Sequence, residues 1–354
     1  MNWISSAPAN LMLLGEHSVV YGYPALACAV DQVIEIHWSK TDDVTKSEVD
    51  ERTNERTNEP NNESTNKTTI CIESALANFQ FTLAELKAFK QHPQLDHPQL
   101  RFVMHALNAF APNLHHGLHI EINSEFSSTI GLGSSAAVLA ATLHGLNTIT
   151  QQNLSNLELF HIGHEIILKI QGRGSGTDLA ASLTGGIVLF EPAIQGRPAN
   201  IQKLPESISQ NFPLSLVYCG YKTPTAEVLK MVANHWQDQP EELNKLYALM
   251  GETTKQAYQA VLNGKLEHLY ALSEIYQDFM DTLGVNDDTL QTIIKQMRAC
   301  SSIGASKISG SGLGDCVLGL GNLSDCPKSS QSMLKNYTQI AIKTTSTGAK
   351  TEQA

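Results

Sequence analysis

The 354-residue chain has no excess of basic residues and no long apolar run. Lys and Arg number 24 against 35 Asp and Glu, a net charge of −11. That balance argues against a general nucleic-acid-binding surface, because such a surface needs cations to replace counterions. No segment reaches the roughly 18 apolar residues of a membrane-spanning helix, and Met1–Asn10 lack the pattern of a secretory leader. We therefore expect a cytoplasmic protein with no nucleic-acid or membrane partner.

Paired cysteines are also lacking. The chain contains no Cys-x-x-Cys motif, and four of its six cysteines lie inside apolar runs. Scattered cysteines of this kind behave as small hydrophobic residues, and disulfides are rare in a reducing compartment. We therefore predict reduced thiols and neither a zinc site nor a disulfide. The six positions are Cys28, Cys71, Cys219, Cys300, Cys316 and Cys326.

Length and composition predict a globular protein of two domains, since 42% of the residues are hydrophobic and 17% are charged. Residues 41–69 are almost entirely polar and cannot bury enough apolar surface to form a core, so they are interpreted as a solvated insertion. Pro192–Pro213 has the composition of a linker. We expect domains at residues 1–195 and 210–345, followed by a flexible tail at residues 346–354.

The coarse pattern of helices and strands is mixed. Several short strands are predicted within Ile4–Lys40, and another strand at Leu118–Ile122. Helices are predicted at Ser134–Ile149 and Leu157–Ile170. Because helices and strands do not alternate strictly, the pattern favours the α+β class.

A glycine-rich loop that opens directly into a helix is the strongest chemical signal. The N–H groups at such a helix start converge on one spot and carry a partial positive charge, which suits phosphate. Two serines at the first turn can cap the helix or reach a metal ion or a phosphate oxygen. An ordinary turn followed by an ordinary capped helix is the alternative. The candidate phosphate-binding residues are Gly131, Leu132, Gly133, Ser134, Ser135 and Ala136.

Two familiar nucleotide-binding motifs do not fit this loop. A dinucleotide fingerprint needs a strand immediately before its first glycine, yet Asn123–Ile130 intervenes. It also needs an acidic residue about 20 positions later, and Ile149–Asn153 contains none. The P-loop pattern, with Lys before Ser or Thr, is absent from the sequence.

Three segments together resemble the GHMP kinases, over nearly the whole chain apart from residues 41–69 and the tail. They are Ala7–Asn10 leading to Gly15–Gly22, then Gly131–Ala137, and then Lys307–Cys316. The resemblance implies an N-terminal domain similar to ribosomal protein S5 domain 2 and a ferredoxin-like C-terminal domain, with the active site in the cleft between them. It also implies phosphoryl transfer from ATP with Mg²⁺, and it leaves a homodimer open.

The segments point to two acceptors within that family. The Gly-Glu-His motif at residues 15–17 looks most like mevalonate kinases. The Asp315-Cys316 pair and residues 220–225 look more like phosphomevalonate kinases. Mevalonate and phosphomevalonate both stay open as the small-molecule substrate. A non-catalytic, metabolite-binding relative is a third alternative.

The resemblance also implies roles on the nucleotide side. The loop at residues 131–136, together with Gly310 and Gly312, would surround the ATP phosphates. Ser135 and Glu165 would bind Mg²⁺, although Glu165 has the alternative of an ordinary surface carboxylate. Asp178 would act as the general base, with a helix cap as its alternative role. Ser175 would brace the turn before Asp178, and Asp315 is expected to be structural.

On the acceptor side, the resemblance implies that Glu16, His17, Lys222 and Thr225 approach the substrate. The His17 imidazole is expected to donate a hydrogen bond to a substrate carboxylate. Asn10 stands where mevalonate kinases usually have a lysine beside the transferred phosphoryl group. An amide supplies no charge there, so we hypothesise that Arg173 or Lys222 provides it.

Overall fold

The structure, a computed structural model, describes residues 2–41, 68–126, 131–194, 197–210, 212–326 and 334–354. The strands are β1 Asn2–Leu14, β2 Ala25–Lys40, β3 Thr69–Ser74, β4 Phe79–Thr82, β5 Leu118–Ser124, β6 Ile187–Glu191, β7 Asn200–Lys203, β8 Leu214–Tyr218, β9 Ile303–Ser309, β10 Cys316–Gly321, β11 Thr338–Ile340 and β12 Lys350–Gln353. The α-helices are α1 Leu83–Lys87, α2 Arg101–Phe110, α3 Ser134–Ile149, α4 Asn156–Gln171, α5 Thr177–Thr184, α6 Glu206–Ser209, α7 Thr225–His235, α8 Pro240–Leu262, α9 Leu266–Leu283 and α10 Asp288–Arg298. The predicted α+β class is confirmed.

Two sheets organise these elements. The larger has eight strands, in the order β12-β1-β2-β5-β3-β4, with β6 also paired to β2 and β7 to β6. All of its pairs are antiparallel except β3 with β5. The smaller sheet is antiparallel, in the order β11-β8-β10-β9. The strand at Leu118–Ile122 and the helices at Ser134–Ile149 and Leu157–Ile170 are confirmed within a residue or two.

The prediction of several short strands in Ile4–Lys40 was wrong. Two long strands, β1 and β2, form an antiparallel pair that runs from Asn2 opposite Ser39 to Leu14 opposite Leu26. The pairing tolerates Pro8 because the register shifts between Pro8 and Ala9, and proline is accepted at such an irregularity. Asn10 lies in this pair of strands, and its backbone N–H contacts the glycine-rich loop at Leu132.

Both halves of the chain share a core. Side chains of β1 such as Leu11 and Leu13 pack in one cluster with Tyr247 of α8 and Tyr276 of α9. A second cluster joins the large sheet to α2, α3 and α4. Among the residues that the structure describes, no helix is both long and apolar enough to cross a membrane.

The C-terminal segment differs from the expected flexible tail. Residues Lys350–Gln353 form β12, which pairs antiparallel with Trp3–Ser6 at the edge of the large sheet. Ala349 is buried, and its N–H donates to the carbonyl of Ser182. These contacts are tertiary, so the polar composition of the segment did not indicate them. Most of the predicted insertion, residues 42–67, lies outside the described residues, and the division into two domains stays a prediction.

The prediction that all cysteines are reduced was wrong for one pair. Cys300 and Cys326 form a disulfide across 26 residues, with their Cα atoms 5.6 Å apart. The other four cysteines are free thiols. The pair joins the end of α10 to the segment after β10, two places that only the fold brings together.

Gly145 of α3 is needed for close packing on the large sheet. A Cβ at Gly145 would lie 2.7 Å from the indole of Trp38 and 2.8 Å from the hydroxyl of Ser5, and the Trp38 indole N–H donates to that hydroxyl. We expect Gly145→Ala to lower the free energy of unfolding by about 1–3 kcal/mol through overpacking, measured by denaturant titration. Trp38→Phe removes the crowded ring atoms, so the loss in the double variant should be smaller than the sum of the single losses. Additive losses would contradict this contact as the cause.

Candidate active site

One cavity collects most of the residues singled out in the sequence. It has a volume of about 650 Å³ and lies where β1, the starts of α3 and α5, and the loop between β9 and β10 meet. Three separate chain segments contribute to it, as the resemblance implied. The predicted residues that line it are Asn10, Glu16, His17, Gly131, Gly133, Ser134, Ser135, Ala136, Arg173, Asp178, Lys222, Thr225 and Gly310.

The glycine-rich loop leaves the start of α3 open. Gly133 is the N-cap residue in a left-handed conformation, with φ of 64°, and no side chain caps the helix. The expectation that Ser134 or Ser135 caps α3 is therefore wrong, because both serines already lie within the first turn. Their hydroxyls line the cavity, together with a helix start whose first N–H groups have no partner within the helix. The arrangement suits an anionic ligand.

Asn10 holds this loop in place. Its backbone N–H donates to the carbonyl of Leu132, and its side-chain amide donates to Ser182 Oγ at 3.0 Å. A Cβ at Gly133 would lie 2.2 Å from the Asn10 amide nitrogen, so only glycine allows this approach. Asn10 Oδ1 is buried and has no hydrogen-bond partner. The residue thus braces the loop.

Asp178 opens onto the cavity from the first turn of α5. The N-cap of this helix is Gly176, so the Asp178 carboxylate does not cap it. Ser175 braces the preceding turn, as predicted, through its hydroxyl contact with Thr177. Asp178 is exposed to solvent at the cavity, and the protein packed around its carboxyl group raises its pKa; the charge of Lys222 opposes that rise, and the charge of Asp315 adds to it. A carboxylate poised in this way is suited to accept a proton.

Lys222 is the lysine whose charge acts on the Asp178 carboxyl group. Its Nζ lies 2.9 Å from Asp315 Oδ2, and its charge lowers the pKa of Asp178. Arg173 also lines the cavity, but it is exposed and its guanidinium donates to the carbonyl of Ala226. Asp315, expected to be structural, faces the cavity and presses against Gly131.

Glu16 belongs to an ion pair that joins the two halves of the chain. Glu16 Oε1 lies 2.5 Å from Lys307 Nζ, and both side chains are only 2% exposed. The Tyr276 hydroxyl donates to the backbone carbonyl of Glu16 at 2.9 Å. Burial raises the pKa of Glu16 and lowers that of Lys307, and their mutual attraction opposes both shifts. Separating the two side chains would leave an uncompensated buried charge. The ion pair therefore holds the turn that carries His17 in place.

His17 is held in a strained conformation, with φ of 60° and ψ of −59°. Its Nε2 lies 2.8 Å from the carbonyl oxygen of Ser311. A carbonyl oxygen only accepts, so Nε2 carries the proton, and burial lowers the pKa of the ring and favours the neutral form. Nδ1 then presents a lone pair. The expected donation from His17 to a substrate carboxylate is therefore not available in this state.

Three predicted residues do not reach the cavity. Glu165 is exposed on α4, which faces the cavity with Ile167 and Gln171 instead. Leu132 is buried in the core. Gly312 packs against the backbone of Val285, where a Cβ would lie 2.4 Å from its carbonyl oxygen.

In the sequence analysis, the side chains of Lys307 and Gln171 were given no role in the site. Lys307 is the charged residue of the largely buried strand β9. A charged side chain in a buried strand needs a partner of opposite charge, so its position could have indicated one. Gln171 lies four residues after Ile167, the spacing of one helix face.

The chain is similar to known proteins in sequence and in fold. The model of the GHMP kinases N terminal domain matches residues 101–186. Mevalonate kinase of Pyrococcus furiosus is 28% identical over 328 residues, covering 90% of this chain and 89% of the relative. The crystal structure of the Lin0012 protein from Listeria innocua has a TM-score of 0.80 at 19% identity over the full length of both chains. Mevalonate kinase of Methanococcus jannaschii has a TM-score of 0.73 at 20% identity, over 96% of this chain and 98% of that one.

The matched domain contains both the loop at residues 131–136 and Asp178, and the likeness to the solved structures extends over the whole fold. Residues 101–186 therefore carry the GHMP kinase N-terminal domain, and the chain is similar to mevalonate kinases over most of its length.

Proposed function

We propose that this kinase transfers the γ-phosphoryl group of ATP to the primary hydroxyl group of mevalonate. The observation that carries the proposal is that one cavity combines an open helix start, a carboxylate with a raised pKa and a lysine ammonium group. The name of the Pyrococcus furiosus relative, which aligns along most of this chain, supports mevalonate as the acceptor.

In the proposed reaction, the N–H groups at the start of α3 and the loop at Gly310 hold the ATP phosphates. Asp178 accepts the proton of the acceptor hydroxyl while the hydroxyl oxygen bonds to the γ-phosphorus. The bond from that phosphorus to the oxygen of ADP breaks. The ammonium group of Lys222 stabilises the negative charge that develops between the reacting oxygens.

Few protein groups in this cavity are suited to bind Mg²⁺. In the described part of the chain, no group of three or more His, Cys, Asp or Glu side chains could hold a metal ion by itself. Mg²⁺ usually keeps several waters and binds substrate phosphates, so the hydroxyl of Ser135 is the protein group that would hold it. Mg²⁺ would neutralise charge on the phosphates. The exposed position of Glu165 gives no support to its proposed role as a ligand.

Phosphomevalonate is the second candidate acceptor. Two basic side chains, Arg173 and Lys222, line the cavity and could bind a substrate phosphate. The segment that carries Lys222 is also fastened to the loop between β9 and β10, because Asp315 N–H donates to the carbonyl of Tyr221.

Coupled ADP release with Mg-ATP tests the proposal, run in parallel with (R)-mevalonate and (R)-5-phosphomevalonate. We expect turnover with mevalonate and at least about 100-fold lower kcat/KM with phosphomevalonate, because Arg173 is engaged with the carbonyl of Ala226 and Lys222 with Asp315, and an added phosphate dianion would have to displace these contacts. The reverse preference would assign the second candidate. Nucleotide binding with no ADP release from either compound would indicate a non-catalytic relative.

A further inference from the structure

The hydroxyl of Ser182 forms a buried bridge between β1 and α5. It accepts a hydrogen bond from the side-chain amide of Asn10 at 3.0 Å and donates one to the carbonyl oxygen of Pro8 at 2.8 Å. A serine hydroxyl has one proton and two lone pairs, so both bonds can form at once. Ser182 is fully buried and is not among the residues that line the cavity. Any effect that it has on the reaction must therefore pass through other residues.

On one side, this bridge reaches the phosphate-binding loop. The backbone N–H of Asn10 donates to the carbonyl of Leu132 at 3.1 Å, and the Asn10 amide packs directly against Gly133. Within the described part of the chain, Asn10 Oδ1 has no hydrogen-bond partner, so the contact with Ser182 is the one that orients the amide. Asn10 thus connects Ser182 to the loop that would hold the ATP phosphates.

On the other side, Ser182 belongs to the helix that carries Asp178. The two residues are four positions apart on α5, so they lie on the same face of the helix, about 6 Å apart along its axis. One turn of helix therefore separates the bridge from the residue proposed as the general base. Through Asn10 and Ser182, the phosphate-binding loop and this base are held by one connected set of buried contacts.

The last turn of α5 is also held from behind, by the C-terminal segment. The backbone N–H of Ala349 donates to the carbonyls of Ser182 and Leu183, at 2.9 and 3.2 Å. The ammonium group of Lys203 donates to the carbonyl of Thr184 at 3.1 Å. A helix of eight residues is only marginally stable alone and takes its position from such tertiary contacts. They hold the end of the helix, and the Ser182 hydroxyl holds its side against β1.

We propose that Ser182 is a positioning residue, whose hydroxyl sets the place of the Asp178 carboxylate relative to the phosphate-binding loop. The inference rests on the proposed function, in which Asp178 takes a proton from a hydroxyl group that reacts with a phosphate held by that loop. Both groups must be in place at the same moment, and an error of about 1 Å in such a geometry can cost about 100-fold in rate. Without the hydroxyl, α5 loses the side-chain hydrogen bonds that fix it to β1, and Asp178 can shift.

Ser182→Ala removes both hydrogen bonds and is expected to lower kcat by about 10- to 100-fold. The Kd of a fluorescent ATP analogue should stay within about threefold, because the backbone bond between Asn10 and Leu132 still holds the loop. Circular dichroism at the assay temperature checks that the variant is folded. A folded variant with kcat within threefold of the unaltered enzyme would overturn the proposal.

The same substitution in the Asp178→Asn background separates positioning from a purely structural role. A residue that acts by placing the base has nothing left to place in that background, so Ser182→Ala should cost no more than about threefold further. Transfer of labelled phosphate from ATP gives the sensitivity that this slow variant needs. A larger further loss would overturn the inference, because the serine would then act on something other than Asp178.

Ser273→Ala is the matched control. Ser273 is 1% exposed on α9, its hydroxyl donates to the carbonyl of Leu269 at 2.9 Å, and it is not among the residues that line the cavity. The variant also loses a buried helical hydroxyl, and it should keep kcat within about twofold. An equal loss of kcat in Ser182→Ala and Ser273→Ala would overturn the assignment.

The outcomes separate the two proposals. If Asp178→Asn alone leaves kcat within tenfold of the unaltered enzyme, the proposed base is wrong and the role of Ser182 falls with it. If Asp178→Asn is strongly impaired and Ser182→Ala costs as much in that background as in the unaltered enzyme, Asp178 remains the base and only the positioning role is overturned.

Discussion

Replacing Asp178 with Asn is expected to lower kcat by about 100- to 10,000-fold, the usual contribution of a positioned general base. The amide of Asn has nearly the same shape as the carboxyl group but cannot accept the hydroxyl proton. Asp178 does not cap α5, so its replacement should leave the helix intact. Steady-state ADP release gives kcat, and titration with a fluorescent ATP analogue should give a Kd within about threefold of that of the unaltered enzyme.

Asp238→Asn provides the control. Asp238 is exposed in the loop after α7 and does not line the cavity, so its replacement makes the same chemical change at a place away from the site. It should retain full activity. A kcat within tenfold of the unaltered enzyme in Asp178→Asn would contradict the role of Asp178 as a base.

The pH profile of the unaltered enzyme offers a second measurement of the same residue. The base acts only when it is deprotonated, so kcat/KM should rise with pH through the pKa of Asp178. The protein packed around its carboxyl group raises that pKa, so the acid limb should lie above the value near 3.9 that is typical of a fully solvated Asp. Asp178→Asn should abolish this limb.

The phosphate-binding loop could be predicted from the sequence because its determinants are local. Two glycines, two serines and an apolar run occur in consecutive positions, and α3 begins at Ser134 as expected. The same reasoning failed for the capping serines, because Gly133 takes the N-cap position with a positive φ. Which residue occupies a cap depends on the path by which the chain enters the helix, and here Asn10, more than 100 residues earlier, fixes that path.

Glu165 illustrates a second limit. Helix α4 was predicted correctly, but which of its faces meets the cavity depends on how it packs. Residues two positions apart point about 200° from each other around a helix, so Glu165 and Ile167 cannot face the same cavity. Ile167 lines the cavity and Glu165 is exposed. The buried pair of Glu16 and Lys307, 291 residues apart, was likewise beyond any local pattern.

Replacing Lys222 with Met is expected to lower kcat by about 100- to 1,000-fold, the cost of removing one preorganised electrostatic contact from a transition state. Asn10 supplies no charge, and the guanidinium of Arg173 is engaged with a backbone carbonyl outside this charged group. Lys222 lies between two carboxylates, in contact with Asp315 and electrostatically coupled to Asp178. Met keeps most of the length of the side chain and removes the ammonium group.

A shift of the pH profile separates this role from a purely structural one. The Lys222 charge lowers the pKa of Asp178, so its removal should raise that pKa and move the acid limb of kcat/KM to higher pH. Lys245→Met is the matched control, since Lys245 forms an exposed pair with Glu242 at 2.8 Å and should change neither quantity. Arg173→Met tests the other half of the hypothesis and should cost only a few-fold. If Arg173→Met is the more damaging change and Lys222→Met leaves the acid limb in place, the positive charge that stands in for the usual lysine belongs to Arg173. Because the two side chains lie on the same cavity, that comparison decides which one faces the transferred phosphoryl group.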